Sequence, residues 1–201
     1  MMIRQPSFQP VLMGKPSDHV EVLPEPSVVQ LPLTSRRLHF SAVKVRSRAL
    51  VAVGDVLAID PDHFGVPLLA SIAGTTKVDE KHGIITIDGS VADENRPAPS
   101  APETDAPLDI KQRVLTGGGW PFFGDAHTGA IPNPDVPPRA VLVTPVAADL
   151  YVARPDVILG DRTDAMMRGL GILKTLTSNA PIHVAIPATA APSFGVLRGA
   201  I

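Results

Sequence analysis

The chain has 201 residues, no cysteine, 22 prolines and a formal net charge of −2. Lacking a thiol, it has no disulfide, no iron–sulfur ligand and no thiol nucleophile of its own. Its near-neutral charge with scattered Lys and Arg argues against nucleic acid as a partner, and no apolar run approaches the roughly 20 residues that cross a bilayer, so no direct membrane span is expected.

Residues 1–40 read as an extended N-terminal arm packing on the domain that follows. Pro6, Pro10, Pro16, Pro24, Pro26 and Pro32 interrupt short apolar pieces such as Val28-Val29, and Lys15 in a Gly-Lys-Pro turn reads as solvated. The opening Met1–Pro6 lacks the apolar core of a secretory signal, which leads us to expect a cytoplasmic chain.

Residues 41–92 carry the stronger pattern. Val43 and Val45 alternate with Lys44 and Arg46; Val51, Val53 and Leu57 follow around a Gly54-Asp55 turn; then come Val66–Leu69, Ser71–Thr75 and Ile84–Ile87. Short strands separated by Gly-Asp, Asp-Pro-Asp and His-Gly turns predict a small β-sandwich or barrel. Asp60, Asp62 and His63 share one turn. Such a trio has metal-ligand chemistry, but three polar residues in a turn are more ordinarily a solvated turn, and no metal site is expected.

Residues 93–110, rich in Pro, Ala, Asp and Glu, read as a linker, and 111–201 as a second domain. That domain opens on Gly117, Gly118 and Gly119, followed by Trp120, Phe122 and Phe123. Consecutive glycines let the backbone take positive φ and approach a ligand, so the stretch reads either as a phosphate loop or as a hinge packed down by aromatics. His127 has no second catalytic group at a telling spacing and reads as a surface residue.

Arg139–Thr144 predicts a strand buried on both faces. Asp161 or Thr163 caps a predicted helix that runs to about Ser178, with Met166, Leu170, Leu173 and Leu176 on one stripe. Met166-Met167 reads as core and helix surface. Ile182–Ile186 completes a right-handed βαβ unit with parallel strands. The segment between strand and helix, with Asp149, Tyr151, Arg154 and Asp156, lacks the glycine turn that would bring pyrophosphate to a helix N-terminus. Two parallel strands bury too little, so this domain reads as partial and the chain as truncated or completed by other strands.

The order of the strand pieces in 41–92 resembles the barrel-sandwich hybrid of biotinyl and lipoyl domains, without a lysine at the Asp60–Gly65 tip where carriers attach their cofactor. Taken with Gln9–Pro16, Gly117–Pro121, Pro138–Thr144 and Ala153–Leu159, the chain resembles the N-terminal part of the NqrA family, a component of the Na+-translocating NADH:quinone oxidoreductases, and its relative, the RnfC family of the Rnf complex. The resemblance implies an α+β multidomain chain: a barrel-sandwich hybrid followed by a partial Rossmann-like, flavin-domain-like α/β domain. It further implies a docking or scaffold role, peripheral to the inner membrane, with other subunits of a membrane redox complex as partners and no complete active site or catalytic residue in this chain. No cofactor is expected here; FMN, NADH and quinone are the groups the family brings into question. In an Rnf-type subunit binding FMN and NADH, Gly117, Gly118, Gly119 and Trp120 would be the cofactor-binding residues. Thr116 and Asp125 stand where binders tend to carry Arg and Lys, and a carboxylate several ångströms from a phosphate costs on the order of 1 kcal/mol. A stand-alone interaction module is the third reading.

Overall fold

A computed structural model describes residues 19–90, 109–144, 157–158 and 162–185. The Gln9–Pro16 motif, the body of the linker, the segment carrying Asp149, Tyr151, Arg154 and Asp156, the candidate cap Asp161 and the end of the last strand at Ile186 lie outside those residues. Contacts group Leu23–Val141 with Gly169–Ile182 in a larger unit, and the remaining described residues fall in a smaller one.

The larger unit is built on two antiparallel sheets. Strands β1 (Val28–Pro32), β3 (Leu50–Val51), β6 (Gly74–Asp79) and β7 (Ile84–Asp88) form one, in the order β1-β7-β6-β3. Strands β2 (Ala42–Val43), β4 (Val56–Asp60) and β5 (Val66–Leu69) form the other, in the order β2-β4-β5. Strands this short cannot hold themselves together by ladder bonds alone and depend on a buried face. Val51, Ile85 and Ile87 from the first sheet meet Leu57, Ala58 and Val66 from the second in a single apolar cluster. Leu57, Ile85 and Ile87 have no exposed surface.

Part of the expected arm is sheet. Val28–Pro32 pairs with β7 from Val28 opposite Asp88 to Pro32 opposite Ile84, with Val29 and Leu31 half-buried against the cluster. Proline is tolerated because β1 is an edge strand, where a missing N–H breaks no interior ladder. Strand β6 begins at Gly74 instead of Ser71, and a Cβ at Gly74 would run into the backbone carbonyl of Asp88, so only glycine fits there.

Helix α1 (Ile110–Thr116), which composition did not suggest at the end of a linker, lays Val114 and Leu115 against the same cluster. A 3-10 turn, Trp120–Phe122, follows it. Further on, β8 (Val141–Val143), α2 (Thr163–Leu176) and β9 (Ile182–Val184) appear in the predicted order. The Val141 N–H donates to the Pro181 carbonyl at 2.8 Å and the Ala185 N–H to the Val143 carbonyl at 2.9 Å, a register that advances along both strands together, as in parallel pairing. Ser178 and Asn179 take left-handed φ values of 53° and 62°, and the Asn179 N–H reaches back to the Lys174 carbonyl to close the helix. On α2 Met166, Met167, Leu170, Leu173 and Leu176 are all half-buried.

The expectation that Arg139–Thr144 is buried on both faces is corrected. Val141 and Val143 are half-buried, as are Ile182 and Val184, but Leu142 is 60% exposed and His183 is exposed beside it. A two-stranded sheet alternates its side chains between a covered face and an open one.

Leu57→Ala is expected to destabilise the fold by about 2–5 kcal/mol and Gly74→Ala by about 1–3 kcal/mol, one through a cavity and the other through a backbone clash. Urea unfolding measures both, and a shift below about 0.5 kcal/mol for either would remove that residue from the packing scheme.

Candidate functional site

Three loops of the larger unit converge, each fixed by a polar side chain. In the first, Ser35 organises the turn that carries Arg36 and Arg37: its N–H donates to the Leu38 carbonyl at 2.9 Å, and its Oγ accepts from the Leu38 N–H at 3.0 Å. In the second, the β4–β5 tip, Asp60 is 0% exposed and its carboxylate accepts from the backbone N–H groups of His39 at 2.7 Å, Asp62 at 3.0 Å and His63 at 3.1 Å. The His63 ring completes the set, with Nδ1 at 2.9 Å from Asp60 Oδ2.

Burial on its own would push the Asp60 carboxyl up. The His39 N–H, the His63 ring and the Asp62 N–H outweigh it, and the group is held below the ordinary carboxylate range. An ionised carboxylate only accepts, so His63 Nδ1 is the donor and Nε2 is left for other partners.

The third loop hangs on Asp125. Its Oδ1 accepts from the Thr128 N–H at 2.7 Å, the Thr128 hydroxyl at 2.9 Å and the His127 N–H at 3.0 Å, which holds its carboxyl below the usual range. Arg37 ties the first loop to the aromatic turn, donating from Nη1 to the Pro121 carbonyl at 2.9 Å and from Nη2 to the Phe123 carbonyl at 2.8 Å. Between the loops lies an open cleft of about 550 Å³, lined by Arg36 and Arg37, by His63 and by Thr128–Ile131.

The glycine stretch adjoins this site, and its amides are bonded to α1. The N–H of Gly117 donates to the Arg113 carbonyl at 3.0 Å, that of Gly118 to Leu115 at 3.1 Å and that of Gly119 to Val114 at 2.9 Å. All three amides therefore close the end of α1. Gly118 holds a φ of +68°, which a side chain rarely adopts, and sits over Pro67 and Leu69 of β5. Trp120 is 7% exposed, stacks edge-on against Phe123 with centroids 5.2 Å apart, and gives its indole N–H to the Pro132 carbonyl at 2.8 Å.

Sequence reasoning grouped Asp60, Asp62 and His63 by their spacing. The structure brings Asp60 and His63 together, uses Asp62 through its backbone, and shows no metal-holding group among the described residues. His127 contributes its backbone N–H to the Asp125 turn. Arg36, Arg37 and Thr128 were missed as site residues. The available signals were the paired arginines after a turn-forming Ser and the Asp-x-x-Thr spacing of 125–128.

The family profile described as the NqrA second alpha/beta domain matches residues 107–197. The NqrA protein of the Na(+)-translocating NADH-quinone reductase from Vibrio atlanticus is 28% identical over 83 residues, 41% of this chain and 18% of that protein. The chain is a relative of NqrA. The corresponding protein from Neisseria meningitidis is 26% identical over 153 residues, 71% of this chain and 34% of that one. The chain thus spans about a third or less of the length of these NqrA relatives. The profile begins just ahead of α1, so the NqrA-like segment includes the glycine stretch and Trp120, which pack on the two-sheet core.

Because Asp60 titrates lower in the folded chain than in the unfolded one, its ionised form stabilises the fold above about pH 3.9 and that contribution is lost as pH falls through the folded value. Asp60→Asn is expected to cost about 1–3 kcal/mol at pH 7 and to flatten the decline of stability below about pH 4. Urea unfolding from pH 3 to 7 compares the two slopes, and identical slopes would remove Asp60 as the source.

Proposed function

We propose that this chain is a docking segment of a peripheral subunit in a Na+-translocating NADH:quinone reductase. In this reading the two sheets are a barrel-sandwich hybrid, and β8, α2 and β9 are a partial Rossmann-like unit of flavin-domain descent. It lies on the cytoplasmic face of the inner membrane, held by other subunits. Among the described residues no helix is long and apolar enough to cross a membrane.

The observation that carries the reading is the use of the glycine amides. A phosphate loop needs backbone N–H groups turned outward, and those of Gly117–Gly119 are bonded to α1 carbonyls. We therefore assign Gly117, Gly118, Gly119 and Trp120 to a structural clasp and not to FMN or NADH. The hairpin tip that a carrier would use for a lysine instead presents Phe64, 42% exposed, and the turn after the glycines presents Phe122, 89% exposed. Exposed aromatics on rigid turns are suited to burial in a partner. Quinone contact belongs to the assembled complex in this reading.

Titration of the purified chain with FMN, followed by flavin fluorescence, is expected to show no saturable binding, and Gly118→Asp to lower the melting temperature only. Stoichiometric FMN abolished by Gly118→Asp would replace the reading with an Rnf-type electron-transfer protein. Co-purification with the other subunits from membranes is expected to fall at least about tenfold in the Phe64→Asp/Phe122→Asp pair, the loss of two buried anchors. A chain that never co-purifies would point to a stand-alone module.

A further inference from the structure

The three-loop cleft has features that the docking role does not use. Among the described residues Arg36 makes no hydrogen bond or ion pair, although it lines the cleft beside Arg37 and His63. Arg37 is committed to the Pro121 and Phe123 carbonyls, so its charge remains at the cleft while its position is fixed. His63 is 37% exposed at its side chain, and its Nδ1 is tied to Asp60. The ring orientation is thus set by a buried carboxylate, with Nε2 as its remaining nitrogen. The lining also has an apolar part: Ala130 and Ile131, of which Ile131 is half-buried against the core cluster.

We infer that this cleft binds a small molecule carrying a phosphate or carboxylate group, with the oxyanion between Arg36 and His63 and an apolar body against Ala130 and Ile131. Arginine offers a planar fork of donors matched to such oxyanions. A fork with no partner among the described residues loses none of their bonds on accepting one. The two nearby carboxylates do not cancel the site. Asp60 is matched by three N–H groups and the His63 ring, and Asp125 Oδ1 is matched by three donors from His127 and Thr128. A volume of about 550 Å³ lies in the range of small-molecule sites, roughly 300–1,000 Å³, and is too small for a folded partner. The inference does not rest on the docking role, because it concerns a ligand of the isolated chain.

The test is an NMR titration of the full isotope-labelled chain with inorganic phosphate and, separately, with benzoate, holding ionic strength constant with chloride. Saturable shifts at the His63 ring and at the amides of Thr128–Ala130 are expected with at least one probe. Arg36→Ala should weaken that binding at least about tenfold, the loss of a charge-assisted bond, with an unchanged melting temperature because its side chain is exposed and unbonded. His63→Gln should weaken it as well. Saturation by phosphate alone would support a phosphate-bearing ligand, and saturation by benzoate alone a carboxylate with an apolar body. Shifts no larger than the chloride control with both probes, or binding that Arg36→Ala leaves unchanged, would overturn the proposal.

Discussion

A carboxylate with no exposed surface is the constraint on which the cleft depends. Burying the charge of Asp60 is costly unless its oxygens are matched, and here they meet three backbone N–H groups and one imidazole. Two of the N–H groups, from Asp62 and His63, close the β4–β5 tip. The third, from His39, comes from the arginine-bearing loop. One side chain thereby sets the tip, the neighbouring loop and the orientation of His63 together. None of these can shift far without leaving a buried charge short of a partner.

The glycine stretch follows a similar economy with uncharged groups. A seven-residue helix such as α1 is too short to be stable by itself, so it persists through packing and through closure of its end. Val114 and Leu115 provide the packing and the amides of Gly117–Gly119 provide the closure. The chain then turns Trp120 into the core. Arg37 grips the carbonyls on either side of Phe122, so the aromatic turn is held from the inside by Trp120 and from the outside by a guanidinium. Of the two readings the sequence left open, a phosphate loop or a hinge packed down by aromatics, these bonds and the burial of Trp120 favour the packed turn.

Most of the strands were legible because their apolar residues alternate and their turns contain Gly, Asp and Pro. Strand β1 was obscured by the prolines around it, since local composition does not reveal that Pro32 lies at a sheet edge. Helix α1 was obscured because Asp109–Thr116 is brief and follows a long polar stretch. The parallel order of β8 and β9 followed from the alternation of strand and helix, whereas the exposure of Leu142 could not, because an apolar run reads alike whether one face or two are covered. The site was the least legible part. Its members are separated by up to 95 positions, from Arg36 to Ile131, and their meeting depends on long-range bonds such as Arg37 to Phe123.

The tip of the β4–β5 hairpin is ordered in a way that supports the proposed docking role over that of a moving cofactor carrier. Phe64 holds a φ of 61°, a left-handed conformation that costs a bulky residue about 1–2 kcal/mol. Such strain persists only where the surroundings over-determine it. Here the surroundings are Asp60 and the N–H groups it binds, with Gly65 at φ 69° completing the turn. A swinging carrier gains nothing from a rigid tip, because its reach depends on freedom at the attachment point. A docking surface gains directly, since less conformational entropy is lost when an already ordered aromatic is buried by a partner. The fixed placement of Phe64, one residue from a ring oriented by a buried charge, therefore fits recognition in place.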